Sequence, residues 1–275
     1  MVDAPIVVEV PGNRSDAINI MVRENLTGLP VVRSSDGKLM GVVSRRDIFR
    51  NFDEEQLSLI MKKGCITIEP FRSLSDAAKI FSEMRIHRLP VVDDGKLVGI
   101  ITPTDLLKEI KTMDTDMMAE EVINTTCVTS WEGEPLSYTV RSMRVSDVSA
   151  VPVLDSQGEL TGILTDRDLF SDQVENLNAL SELGVVDSKL AGYRNVLPLF
   201  YAATDRYLQN GRTVKEYMIS EPRTVFKKTT LNEVARIMVN NDFGQLPVHG
   251  TKDELIGMIY DVDVLRAIVG GSDGK

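Results

Sequence analysis

The sequence predicts an α/β protein made of four tandem β-α-β-β-α units. The first observation is a hairpin skeleton that recurs at residues 27–49, 87–107, 149–170 and 244–265. In each copy a proline is followed after nine to eleven residues by a glycine, and an aspartate comes six residues past that glycine. These residues are Pro30, Pro90, Pro152 and Pro247; Gly41, Gly99, Gly162 and Gly257; and Asp47, Asp105, Asp168 and Asp263. A fixed glycine-to-aspartate spacing in four copies indicates an internal repeat.

A short strand and an amphipathic helix are predicted ahead of each hairpin. The stretches IVVEV, CITIEP, CVTSW and RTVF are rich in the β-branched residues typical of strands. In the second unit Ala77, Ile80, Phe81 and Met84 fall at helical spacing behind Ser75, which we expect to be the N-cap. A second helix follows the aspartate, as in TDLLKEIKTM. Each unit therefore reads strand, helix, strand, strand, helix.

The size of one unit predicts that the units work in pairs. A unit of fifty to sixty residues has a small sheet with one helical face and is marginal alone. We expect the first unit to pair with the second and the third with the fourth, so that each pair buries a shared core. The predicted boundaries are 1–52, 60–112, 117–172 and 213–270, with a helical insertion at 173–212. The insertion is interpreted as a linker helix or dimer contact, with a ligand lid as the alternative.

Composition argues against several classes of function. The formal charge of −10 and the pI of about 4.9 disfavour a nucleic-acid partner, because no basic stripe offsets the acidity. The start of the chain lacks the basic segment of a signal peptide and no apolar run is long enough to span a bilayer, which predicts a cytoplasmic protein without a membrane partner. Cys65 and Cys127 are interpreted as reduced thiols. No catalytic, metal-binding or Walker motif is visible, so we expect no enzyme and no metal.

A hydroxyl residue and an acid three positions later open the second helix in three units. The pairs are Ser44 and Asp47, Thr102 and Asp105, and Thr165 and Asp168. Such a pair resembles a capping box and needs no ligand. The fourth unit has Tyr260 ahead of Asp263, and because tyrosine is a poor cap the acid is expected to have a further role. A helix N-terminus attracts anions and a carboxylate there can accept hydrogen bonds from ribose hydroxyls, so capping and nucleotide binding both stay open.

The motif set resembles the CBS domain, named after cystathionine β-synthase. The resemblance rests on Leu-Pro-Val-Val, Gly-x-Leu-x-Gly and Gly-hydrophobic-hydrophobic-Thr/Ser-x-x-Asp, and it covers nearly the whole chain outside 171–212. A chain of four such units looks like the stand-alone CBS proteins of archaea and the γ subunit of the AMP-activated protein kinase. The resemblance implies that two units form a Bateman module whose clefts bind adenosine ligands, and that two modules meet as a flat disk.

The resemblance also implies which residues line the best-equipped cleft. In CBS proteins that sense adenine nucleotides, the His-Arg pair of HRLPV supplies phosphate ligands across the cleft to the partner unit's aspartate. Carried over to this chain, the first cleft combines Ser44, Arg46, Asp47, His87 and Arg88. Arginine suits this role because it makes bidentate, charge-assisted contacts to phosphate. The adenine is expected near Thr67, Ile68 and Pro70.

The other three clefts are predicted to be less complete. The second uses Thr102, Thr104 and Asp105, with Thr27 opposite and no facing cation. The third uses Thr165, Arg167 and Asp168 opposite Gly244 and Gln245, with the base near Thr224 and Val225. The fourth has Asp263 with Tyr260 and Val262, opposite Ser149 and the strand of Thr129. We therefore expect that not all four clefts are filled.

The predicted function is regulatory. The chain is expected to bind AMP, ADP or ATP, with S-adenosylmethionine and NAD ranked behind them, and to pass the occupancy to an unidentified regulated protein or to the other protomer of a homodimer. Differential affinity of the ligand for two arrangements of the units would supply the switch. The alternative is a structural CBS scaffold that mediates oligomerisation without physiological sensing of nucleotides. Nucleic-acid binding is disfavoured by the charge.

Overall fold

The computed structural model describes residues 1–24, 26–51, 54–165 and 211–270. Arg167 and Asp168 of the predicted third cleft lie outside the described residues, as does most of the predicted insertion at 173–212. Within the described ranges the chain has mixed α/β structure. No helix among them is long and apolar enough to cross a membrane.

The first two units follow the predicted order of elements. Before and within the first unit lie β1 (Val2–Asp3), β2 (Val8–Val10), α1 (Arg14–Arg23), β3 (Gly28–Arg33), β4 (Leu39–Ser44) and α2 (Arg45–Arg50). The link to the second unit holds α3 (Leu57–Ile60) and β5 (Lys62–Lys63). The second unit has α4 (Leu74–Met84), β6 (Leu89–Asp93), β7 (Lys96–Ile101) and α5 (Pro103–Ile110). Its first strand is reduced to a bridge between Ile68 and Val91.

The last two units repeat this order as far as they are described. A 3₁₀ turn (Ala119–Glu121) leads to β8 (Ser130–Trp131), α6 (Leu136–Val145), β9 (Ala150–Leu154) and β10 (Leu160–Thr165). A second 3₁₀ turn (Val214–Glu216) leads to β11 (Ile219–Ser220), β12 (Val225–Phe226), α7 (Leu231–Asn241), β13 (Gln245–His249), β14 (Leu255–Tyr260), α8 (Asp261–Val264) and α9 (Arg266–Gly270). The predicted α/β class and the four-fold repeat are confirmed.

The cap of α4 differs from the one expected from the sequence. Ser73, not Ser75, is the N-cap, and its hydroxyl accepts a hydrogen bond from the backbone N–H of Asp76 at 3.0 Å. The Asp76 carboxylate in turn accepts from the backbone N–H of Ser73 at 3.2 Å. This reciprocal pair satisfies two amides that the first turn leaves free, so the helix begins one residue after Ser73.

Each pair of units is joined by an exchange of short segments. In the first pair β5, which precedes the second unit, pairs with β4 of the first unit, and β1 pairs with β7 of the second. In the second pair β11 pairs with β10, and the segment at Asn124 bridges to Met258 of β14. Each unit thus contributes backbone hydrogen bonds to its neighbour's sheet. This exchange is the structural reason that units one and two, and units three and four, form modules.

The exchange explains the glycine of the first and fourth copies. A Cβ atom on Gly41 would overlap the carbonyl oxygen of Lys62, and one on Gly257 would overlap that of Asn124. Backbone of the exchanged segment passes directly over the glycine, and a rigid carbonyl cannot move aside as a side chain can. A larger residue at this position would therefore separate the two units of a module.

The two modules share two hydrophobic cores rather than one each. One core joins buried residues of units one and three, such as Met21 and Met143. The other joins units two and four, where α5 packs on α7 and α9 packs on α4. The contacts therefore run from unit one to two, to four, to three and back to one. Such a closed cycle is the connectivity that the predicted disk requires.

Candidate functional site

One of the two carboxylate oxygens of Asp47 caps α2. Its Oδ2 accepts the backbone N–H of Ser44 at 2.8 Å and also the Ser44 hydroxyl. The side chain is only 7% exposed, and its other oxygen, Oδ1, lies 3.6 Å from the Nζ of Lys62. The capping interpretation is thus correct for one oxygen. The second oxygen faces a long, mostly exposed lysine, so a ligand hydroxyl could reach it by displacing a flexible side chain.

Asp105 repeats this geometry with less burial. Its Oδ2 accepts the backbone N–H of Thr102 at 2.9 Å and the Thr102 hydroxyl at 3.1 Å. Lys108, one turn along the same helix, places its Nζ 3.9 Å from Oδ1. Thr104 of the same predicted cleft is exposed on the first turn of α5. The Asp105 carboxylate therefore also keeps an oxygen that protein backbone does not occupy.

The carboxylate of Asp263 has protein donors on both oxygens. Oδ2 accepts the backbone N–H of Tyr260 at 3.1 Å and the side-chain amide of Asn124 at 2.8 Å. Oδ1 accepts the guanidinium of Arg85, which comes from the second unit in the other module. Burial raises the pKa of Asp263, and the Arg85 charge works against that rise. The carboxylate of Asp263 thus connects the two modules through its contact with Arg85, and we call this contact the inter-module joint.

Tyr260 still takes part in a cap with Asp263, although its side chain does not, and Asp263 makes further contacts besides that cap. The half of a capping box that uses the N-cap backbone N–H needs no hydroxyl, and Tyr260 supplies it. Its ring lies under the Arg85 guanidinium, with 5.6 Å between the guanidinium carbon and the ring centroid. Burial raises the pKa of the Tyr260 phenol. The tyrosine therefore belongs to the same joint as Arg85 and Asp263.

Arg88 crosses from the second unit to the first. Its guanidinium donates to the hydroxyl of Thr27 and packs so closely on Gly28 that a Cβ there would lie 2.5 Å from the guanidinium carbon. Burial lowers the pKa of Arg88 to about 10, with Arg45 adding to the effect and Asp47 opposing it. The group stays charged at neutral pH. Arg88 thus uses the hydroxyl of Thr27, which was predicted to lie opposite Asp105 in the second cleft.

Two of the predicted first-cleft residues contact the other module instead of Asp47. His87 is about half exposed, with its Nδ1 3.5 Å from a carboxylate oxygen of Asp261 in the fourth unit. Arg46 places its Nη1 3.4 Å from the carboxylate of Asp147 in the third unit. A reading of one module by itself could not place these residues, because the second module packs against the same edge of the hairpin. The structure brings Ser44, Asp47 and Arg88 into one neighbourhood.

The residues predicted to contact the base differ in burial and in hydrogen bonding. Ile68 and Val225 are buried and lie in a bridge with Val91 and a strand pair with Val248. The backbone N–H of Ile68 donates to Pro90 at 3.0 Å and its carbonyl accepts from Val92 at 2.9 Å, so both groups are already used within the sheet. Thr67 is exposed, and Pro70 and Thr224 are partly buried. Thr165 ends β10, and in the same module the hydroxyl of Ser149 donates to Gln245 at 3.3 Å. This last bond closes the third and fourth units against each other.

Among the described residues, sequence reasoning missed six side chains that contact the aspartates or the residues around them: Lys62, Arg85, Lys108, Asn124, Asp147 and Asp261. Lys62 and Asn124 could have been found from the repeat, since each lies three residues ahead of the cysteine that opens its unit's first strand-like stretch, at Cys65 and Cys127. Arg85 adopts a left-handed conformation (φ 50°) just past α4, which turns the chain toward the other module. No short motif marks Arg85.

A family model described as the CBS domain matches residues 1–54, 57–112, 119–175 and 214–270. Protein MJ1225 of Methanocaldococcus jannaschii is 30% identical over 173 residues, which is 56% of this chain and 61% of that protein. L-aspartate semialdehyde sulfurtransferase of the same organism is 36% identical over 111 residues, 40% of this chain and 21% of the enzyme. The matches thus span less than two thirds of these curated relatives.

Two solved structures are similar over the whole chain. An uncharacterized conserved protein from Pyrococcus horikoshii superposes with a TM-score of 0.69 at 26% identity, covering 98% of this chain and 97% of that one. MJ1225, described as a candidate archaeal homologue of the AMP-activated protein kinase γ subunit, superposes with a TM-score of 0.74 at 23% identity, with the same coverages. Both similarities include all four units.

Proposed function

This chain belongs to the CBS domain family, and on that premise we propose that it is a regulatory protein which binds an adenine nucleotide in the first module. The nucleotide bridges units one and two, with its ribose on Asp47 and its phosphate near Arg88. The occupancy is passed to a regulated protein or to a second copy of the chain. No step of chemistry on the ligand is part of this proposal.

The contact that carries the proposal is the crossing of Arg88 into the first unit. The partly buried guanidinium of Arg88 has five donors, and its hydrogen bond to the Thr27 hydroxyl is to an uncharged partner. Burial lowers the pKa of Arg88, and the charge of Asp47 opposes that lowering, so the two groups act on each other across the units. A cation and a carboxylate held on opposite units suit a ligand that is anionic at one end and carries hydroxyls at the other.

The ligand is expected to be AMP, ADP or ATP, with S-adenosylmethionine and NAD ranked behind them. The Asp47 cleft ranks first and the Asp105 cleft second, because each keeps one carboxylate oxygen clear of backbone donors. Asp168 and Arg167 belong to a third cleft proposed from the sequence alone. The Asp263 cleft ranks last because Arg85 and Asn124 occupy its carboxylate.

A structural scaffold is the second candidate, and two contacts favour it. Arg46 and His87 were predicted to line the first cleft, but Arg46 pairs with Asp147 and His87 lies beside Asp261. Both contacts join the modules, so these two side chains have a use in assembly without a nucleotide. Arg88 remains the cation that distinguishes the two candidates, because its guanidinium donates to a neutral hydroxyl rather than to an acid of the other module.

Thermal denaturation with a ligand panel separates the two functions. We expect AMP, ADP or ATP to raise the melting temperature, since a ligand at a hundred times its dissociation constant adds about 2.7 kcal/mol to the stability of the folded state. S-adenosylmethionine and NAD complete the panel. If none of the five raises the melting temperature, the sensing function is refuted and the scaffold is favoured. Mass spectrometry of ligand released from the denatured protein identifies what co-purifies.

A further inference from the structure

In each cleft, the segment exchanged from the neighbouring unit places one side chain beside the hairpin. This residue is not part of the repeated proline, glycine and aspartate motif. In each unit the residue directly after the repeated glycine pairs with the neighbour's segment. These pairs are Val42 with Lys62, Ile100 with Val2, Ile163 with Ile219, and Met258 with Asn124. Lys62, Val2, Ile219 and Asn124 are therefore equivalent residues of the four clefts.

Two of these equivalent residues are polar, and each contacts its cleft's aspartate. Asn124 donates to Asp263 at 2.8 Å, and the ammonium of Lys62 lies 3.6 Å from Asp47. Val2 and Ile219 are apolar and about half exposed. The same backbone pairing thus places an amide, a cation or a hydrocarbon at the rim of otherwise similar clefts. The four clefts are not chemically interchangeable.

The contact of Lys62 is weak and easily exchanged. Its side chain is 63% exposed, and an ion pair this exposed contributes little to stability. Because Oδ2 of Asp47 is used by Ser44, a ribose hydroxyl must approach Oδ1, which is where Lys62 lies. After this displacement the ammonium of Lys62 is still close enough to contact the bound ligand.

We propose that Lys62 is a specificity-determining residue that makes the Asp47 cleft prefer a phosphorylated nucleoside to the neutral nucleoside. The inference rests on the proposed function and adds a residue to it. When a nucleotide takes Oδ1 of Asp47, the ammonium moves from the carboxylate to the phosphate, so one charge-assisted contact replaces another. A neutral nucleoside also displaces Lys62 from Asp47, but it has no phosphate with which the ammonium can form a new contact. Arg88 holds the phosphate from the opposite unit.

The test is calorimetric titration of the full chain with AMP and with adenosine. All proteins carry Asp105→Ala and Asp168→Ala, which leaves Asp47 as the uncommitted cleft carboxylate. Lys62→Met removes the charge and keeps the length, and Lys62→Arg keeps the charge. Lys63→Met is the matched control, because it removes the same net charge from the next residue of β5, which is also exposed. Melting temperatures of all variants verify that each is folded.

We expect Lys62→Met to weaken AMP binding about ten-fold while adenosine binding changes less than about two-fold, the size of effect expected for one charge-assisted contact. Lys62→Arg and Lys63→Met should both stay within about two-fold of the parent for AMP. Arginine keeps the charge at position 62, and the side chain of Lys63, as the next residue of β5, points to the opposite face of the strand. An equal loss for AMP and adenosine, or an equal effect of Lys63→Met, overturns the role of Lys62 and leaves the proposed function standing. A wild-type chain that binds neither ligand overturns both.

Discussion

The Asp47 and Asp263 clefts carry the same acid at the same step of the repeat, but their carboxylates meet different neighbours. One carboxylate oxygen of Asp47 caps the helix, and the other lies near the ammonium of the exposed Lys62. Asp263 has a backbone amide and Asn124 on one oxygen and Arg85 of the other module on the second. One carboxylate can be reached by a ligand through a flexible side chain, and the other is already bound within the protein.

This difference shows that the repeated motif determines where each aspartate lies in its unit, but not whether its carboxylate can bind a ligand. Both aspartates cap the helix after the hairpin, and that part follows from the local sequence. The role is decided by side chains that arrive from other units, Lys62 and Arg88 in one case and Arg85 and Asn124 in the other. A motif match alone would have ranked the two clefts as equals.

The largest expected effect compares the two aspartates directly. Asp47→Ala should weaken nucleotide binding about 100-fold, since it removes the group that grips the ribose with charge-assisted hydrogen bonds. Asp263→Ala should change nucleotide affinity less than about three-fold, because its carboxylate is already bound within the protein. Calorimetric titration of both variants measures the two ratios. The reverse order of effects would show that the clefts have been assigned the wrong way round.

The next effect concerns the cation of the first module. Arg88→Met should weaken AMP binding about ten- to fifty-fold, because one charge-assisted phosphate contact is lost. Arg236→Met is a matched control, since Arg236 makes an exposed ion pair with Glu233 on the same helix and lies in the fourth unit. Equal affinities of the two variants for AMP would remove Arg88 from the site.

A smaller effect, on stability, is expected where Arg85 and Asp263 join the two modules. Arg85→Met should lower the free energy of unfolding by about 1–3 kcal/mol, because it deprives the buried Asp263 carboxylate of its cation. Arg72→Met, which breaks an exposed ion pair with Glu69, should cost less than about 1 kcal/mol. Urea denaturation gives both numbers. If Arg85→Met costs no more than the control, Arg85 does not hold the modules together.

The smallest effect is a pH dependence. Since the pKa of folded Asp263 is raised by burial, its contribution to stability falls as the pH rises from about 3.9, the unfolded value, through the raised pKa. The stability of the wild type relative to Asp263→Asn should therefore decrease over that window. Melting temperatures measured against pH for both proteins test the sign.

Asp76 provides a control of opposite sign. Hydrogen bonds from Ser73 lower its pKa, so its contribution is present above about pH 3.9 and is lost as the pH falls through the folded value. The wild type relative to Asp76→Asn should gain stability as the pH rises through that window. If Asp263 shows the same sign as Asp76, the Arg85 charge outweighs burial at the joint.

The repeat could be derived from the sequence because its signals are local. Proline, glycine and aspartate spacings, strand-like runs and helical periodicity all act within one unit, and the α/β class and four-fold repeat followed from them. The cleft side chains are harder because they come from elsewhere in the chain. His87 and Arg46 were placed at Asp47, but each contacts an acid of the other module, His87 beside Asp261 and Arg46 beside Asp147.

Some of this could have been recovered by aligning the segments between units. Such an alignment places Lys62 and Asn124 at one position, and the glycine that each segment crosses explains why the position exists. Arg85 could not have been found in this way. Its partner is 178 residues away and depends on how α4 packs against α8 and α9.

A crystal structure of the chain with AMP bound tests the central claim most directly. We expect the ribose hydroxyls within hydrogen-bonding distance of Asp47, the phosphate within reach of Arg88, and the contact between Arg85 and Asp263 intact. A ligand seated on Asp263 with Arg85 displaced, while side chains fill the space beside Asp47, would contradict it.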